Sequence, residues 1–211
     1  MNHRYFFMTA LLNRLGQPEF FCRVFAVTLR VAAALIVLLS LAIVFKVGKI
    51  TFELDHNRVL GGILFEVFFV LGVYATVHTI LIRARDIEMV SGIESYSISV
   101  LTLVLRLLGE AYCVFVGLLS IGGGLFVWFT NQSLGNVLGP LVRALFPTVG
   151  DDSFMGGIEF MASGVLIGLG ALVLSYAAAQ ALGLLVRPAR NGSYQSPTAD
   201  AAQSYRSRFG S

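Results

Sequence analysis

Charge is what this chain has least of: 13% of its 211 residues are Asp, Glu, Lys or Arg, where a soluble domain carries about a quarter. That shortage, with 56% hydrophobic residues and a mean hydropathy of +0.80, excludes an ordinary water-coated globule. The net charge of +3 is too small and too scattered to point to nucleic acid. Catalytic signatures are missing as well. No HExxH, GxSxG or P-loop occurs, and the Gly122-Gly123-Gly124 run has no following Lys or Ser/Thr to make a phosphate cradle, so it reads as helix flexibility. Two cysteines, Cys22 and Cys113, have no CxxC or Cys/His spacing and read as reduced, packed thiols. Of the three histidines only His78 falls in an apolar run, which argues against haem ligation between facing helices. The chain reads as a non-enzyme with no metal site and no cofactor.

What the chain does have is four long apolar stretches, about 25–45, 59–82, 107–129 and 160–186. At ~1.5 Å per residue each crosses a hydrocarbon core of about 30 Å once. The reading is an all-α, polytopic integral membrane protein, a four-transmembrane-helix bundle. Val31–Val44 has the length of a signal-peptide core, but a secretory signal begins with a short basic segment. The first run therefore reads as a retained span. The spans form one domain over 23–187, preceded by an interfacial segment over 1–22 with Tyr5, Phe6 and Phe7 among basic residues. A tail over 188–211, poor in anything to bury, reads as disordered.

Two further segments do not fit simple spanning. Ser97 to Arg106 is apolar yet rich in Ser and Thr, and is expected to ride along the interface or project from it. Residues 134–146 place Leu134, Val137, Leu138, Leu141, Val142 and Leu145 three and four apart, an amphipathic helix too short to span. Orientation follows from Lys and Arg. The two termini and the 83–97 loop share one side and carry Arg4, Arg14, Arg23, Arg83, Arg85, Arg187, Arg190, Arg206 and Arg208. The other side has Lys46, Lys49, Arg58 and Arg143. That excess places both termini in the cytoplasm.

Ionisable residues within spans are expensive and need partners, a wet cavity or a route to the surface. Arg30, His78, Arg106 and Glu110 are expected to form a charge cluster, with Arg106 and Glu110 four apart on one helix. Such a cluster either pins helices 1, 2 and 3 in register or responds to protons or ions. Glu66 has no basic residue on its own helix within reach and, with Glu110, is the candidate ion or proton site. Gly117 and Gly124 on the third span, and Gly164, Gly168, Ala171 and Ser175 on the fourth, make small-residue faces that allow close helix approach. They pack the two helices together or receive another subunit. The partners implied are the lipid bilayer and other membrane subunits or a second copy. The leading functional expectation is an accessory or scaffolding subunit of a membrane assembly or homo-oligomer. The alternative is a small ion- or proton-coupled transporter or channel.

Overall fold

A computed structural model describes residues 18–53, 58–89, 96–132, 134–135 and 152–192. Four long helices account for nearly all of them: α1 (Pro18–Glu53), α2 (Val59–Met89), α3 (Tyr96–Thr130) and α4 (Phe154–Gly192). All four contain stretches long and apolar enough to cross a membrane, and the chain is a multi-pass integral membrane protein. The helices run from 31 to 39 residues, about 46–58 Å, so each exceeds the hydrocarbon core and projects from it.

Their ends are set by local chemistry. Pro18 opens α1, where a missing N–H costs nothing because first-turn N–H groups have no helical partner. Tyr96–Thr130 is continuous, so the Ser/Thr-rich 97–106 stretch extends the third span as a helix rather than lying apart from it. At its far end Asn131 takes φ 51°, a left-handed conformation that Asn tolerates at helix C-termini. The Asn131 N–H bonds the Val127 carbonyl at 2.9 Å. Ser153 caps α4, its Oγ accepting from the Gly156 N–H at 3.0 Å. Trp128 at the end of α3 donates to the Phe154 carbonyl at 2.9 Å and stacks on the Phe154 ring, tying α3 to the start of α4. The fourth helix thus begins before residue 160, and it continues through Pro188 to Gly192, beyond the 188 boundary expected for the tail. The expected interfacial segment up to residue 17, the rest of the 134–146 amphipathic helix and the tail from 193 lie outside the described residues.

Successive helices are antiparallel and pack in chain order, α1 on α2, α2 on α3 and, most extensively, α3 on α4. The main core sits toward the end where α2 starts, with Val47, Phe65, Phe69, Phe126, Leu134 and Phe160 buried together. Gly122, Gly123 and Gly124 lie in this region and are contact points, not a flexible hinge. Cβ atoms there would meet Phe68 of α2, Phe160 of α4 and the Gly157 carbonyl of α4, respectively. Toward the other end a smaller cluster joins Ala33, Ile80 and Leu107, and Cys22 packs with Ile87 and Val100.

The bundle is opened on one side. The first helix packs on α2 and only brushes α3, with no substantial contact to α4. Only 6% of the most apolar stretch of α1 is buried, against 39%, 50% and 22% for α2, α3 and α4. Between α1 and α4, floored by α2 and α3, runs a lateral apolar groove of about 940 Å³.

Candidate functional site

Polar chemistry within the spans collects at two places, one at each end of the bundle. At the end where α2 finishes, Glu110 of α3 lies between neighbouring helices. Arg83 of α2 approaches it in the bidentate manner that suits guanidinium and carboxylate, with Nε donating to Oε2 at 2.9 Å and Nη2 donating to Oε1. Arg83 Nη1 also donates to Asp86 Oδ2 at 3.1 Å, one turn on. Tyr176 of α4 donates its hydroxyl to Glu110 Oε1. Side-chain exposures of 22% for Arg83 and 17% for Glu110 keep the pair largely out of contact with its surroundings. One carboxylate therefore ties α2, α3 and α4 together.

The membership of this cluster differs from the sequence expectation. Arg106 lies near Glu110 but stacks over the Tyr176 ring, 5.3 Å from its centre, and its buried Nε has no hydrogen-bond acceptor among the described residues. The expected i,i+4 pair is replaced because an arginine from α2 holds both carboxylate oxygens. Arg30 is likewise elsewhere, bonded to Glu88 of α2 at 2.8 Å on the outer surface. His78 is on the outer surface too, stacked on Tyr74 with ring centres 5.9 Å apart. Spacing along one helix could not reveal these cross-helix registers. Arg83 and Tyr176 were missed, although a signal existed for Arg83. It continues the three-and-four spacing of the buried α2 residues Phe65, Phe69, Gly72, Thr76 and Ile80, so it belongs to a packing face and not to the loop.

The second place is the seam between α1 and α2. Glu66 points at α1, where a Cβ on Gly48 would lie 3.1 Å from Glu66 Oε1. That oxygen is buried and has no hydrogen-bond partner among the described residues. Thr51 packs against Gly62 in the same seam, and its buried Oγ1 also lacks a partner among them. Of the two carboxylates expected at an ion or proton site, Glu110 is engaged by three donors and Glu66 retains an open oxygen.

The small-residue faces are used inside the chain. A Cβ on Gly168 would stand 3.2 Å from the Cys113 carbonyl oxygen, and one on Gly124 would stand 2.6 Å from the Gly157 carbonyl. Ser175 packs into the space above Gly109, Gly164 is buried and Ala171 is half-buried on the same helix. Gly117 faces open space. Both cysteines are free. Among the described residues no three His, Cys, Asp or Glu side chains converge as a metal centre would require. Comparison with protein-family models, curated proteins and solved structures returned no match.

Proposed function

We propose that this chain is a non-catalytic membrane subunit that assembles through α1, with both termini in the cytoplasm. The observation that carries the reading is the one-sided burial of the first span, 6% against 22–50% for the others. A helix joined to its bundle on one flank leaves a long face and an adjoining groove for another membrane helix. Association within lipid depends on packing and on hydrogen bonds, since lipid tails are as apolar as the helix surface. A continuous wall of Leu and Val with a groove beside it offers the packing. The Glu110 clamp fits the same reading, because a carboxylate saturated by Arg83 and Tyr176 is suited to fixing helices in place. The excess of Arg on the terminal side supports the orientation.

The test uses purified chain in lipid nanodiscs. The expected particle contains more protein than one 22.9 kDa chain, and Leu38→Trp, on the outer surface of α1 at 62% exposure, returns it to the single-chain mass without lowering its melting temperature. Wild-type protein at single-chain mass contradicts assembly with itself, and equal behaviour of the variant contradicts the role of α1. A second reading, a small ion-coupled transporter, is favoured by one observation, the open oxygen of Glu66.

A further inference from the structure

The helices of this chain satisfy their hydroxyl groups in a regular way. Thr28, Thr79 and Thr130 donate to the carbonyl four residues back, and Ser40, Ser120, Ser163 and Ser175 to the carbonyl three back. This is the ordinary solution for a hydroxyl on a helix in lipid. Thr76, whose buried Oγ1 has no partner among the described residues, and Thr51 depart from it, and only Thr51 does so beside an unpartnered carboxylate oxygen. Its side chain is turned across the seam onto Gly62 of α2, at 2% exposure, and its Oγ1 has no partner among the described residues. One turn along the seam is Glu66, whose buried Oε1 is also unpartnered and rests against Gly48. Gly48 and Thr51 are one turn apart on α1, and Gly62 and Glu66 one turn apart on α2. The two open oxygens therefore lie along one seam between α1 and α2, with Glu66 against Gly48 and Thr51 against Gly62.

A carboxylate with one oxygen buried in an apolar seam gains from a counter-charge there, yet no basic group among the described residues forms an ion pair with half-buried Glu66. Lys46 and Lys49, which flank Gly48 on the facing helix, are on the outer surface. We infer that the Glu66–Thr51 seam is a binding site for a small monovalent alkali cation, held by the Glu66 carboxylate and the Thr51 hydroxyl. One carboxylate fixes the charge of the ligand: a single positive charge neutralises it, whereas a divalent ion would leave an excess charge in a low-dielectric seam. The protein supplies few oxygens, so water completes the shell of a hard cation. Water has a short route, because Glu66 is about two turns from the start of α2. Gly48 and Gly62 give the ligands room, since a side chain at either would occupy the space that the carboxylate and hydroxyl now fill. The site does not depend on assembly through α1.

The test is thermal melting of the purified full chain in detergent, at constant ionic strength and pH, in lithium, sodium, potassium or choline chloride. At least one alkali chloride is expected to raise the melting temperature above that in choline chloride, saturably with concentration. Glu66→Gln is expected to abolish the rise, and Thr51→Val, which keeps the shape and removes the oxygen, to weaken the apparent affinity by about tenfold. Direct binding of radioactive sodium to the wild type, competed by unlabelled alkali cations and not by choline, keeps the inference testable where a variant does not fold. Equal melting in all four salts together with no saturable sodium binding overturns the inference, as does a rise that persists in Glu66→Gln. Stability that follows pH but is indifferent to the cation identifies a proton as the only ligand and also overturns it.

Discussion

Glu110 shows why a charged residue inside a span must be read through its partners. Its two oxygens receive Arg83 and Tyr176 from different helices, so removing one partner leaves the others stranded in a poorly hydrated place. Loss of one member of a buried ion pair costs about 3–5 kcal/mol, and the partial exposure of both side chains sets the expected cost of Glu110→Gln toward the lower end of that range. Arg83→Gln should cost a similar amount, and the double variant less than the sum of the two. Tyr176→Phe removes one hydrogen bond to a charged group, worth about 1.5–3 kcal/mol. Arg106→Gln is expected to be milder than Arg83→Gln, because its guanidinium rests on the Tyr176 ring and forms no ion pair among the described residues. Chemical denaturation in detergent, read by helicity, measures each. Additive losses for Arg83 and Glu110 would show that the two do not interact.

The helices themselves were legible in the sequence, and their contacts were only partly so. Span positions follow from hydropathy alone, because the length of an apolar run is a property of the chain and needs no partner. Pairings such as Arg83 with Glu110 depend on how two helices slide and rotate against each other, which spacing within one helix does not encode. The same limit applies to Gly122-Gly123-Gly124. Three adjacent glycines suggest a weak helix, yet each admits a different neighbour. The face with Gly164, Gly168 and Ser175 was legible as a close-packing surface, but the sequence left open whether it served this chain or another. Its contacts with α3 at Cys113 and Gly109 make it internal. Gly168→Leu should therefore destabilise the folded chain by about 1–3 kcal/mol, since the obstructing atoms belong to the Cys113 backbone and cannot turn aside. Gly170→Leu, on the groove side with nothing within 4 Å of its Cβ position, should be neutral or stabilising. Comparable losses at both positions would contradict this division of α4 into a packed flank and an open flank.

At the scale of the whole molecule the two ends of the bundle differ in kind. One is fixed by Arg83, Glu110 and Tyr176, and the other carries an aromatic core beside the open oxygens of Glu66 and Thr51. Four antiparallel helices put the start of α1 at Pro18, the end of α2 at Met89, the start of α3 at Tyr96 and the end of α4 at Gly192 toward the clamped end. With that end in the cytoplasm, reporter fusions after Arg190 and after Met89 should both read cytoplasmic and one at Asn57 should read external. Inversion of all three would overturn the orientation, and disagreement between the first two would overturn the four-span count. The central claim concerns α1, the span with the least burial and the widest apolar face. Cysteine cross-linking in intact membranes tests it most directly, with no detergent to strip a partner away. In a chain with Cys22 and Cys113 replaced by Ala, Leu38→Cys on α1 should give a discrete cross-linked species of higher mass, and Leu81→Cys, on the outer surface of α2, should not. Absence of any discrete product at position 38, or equal products at both positions, would contradict assembly through the first helix.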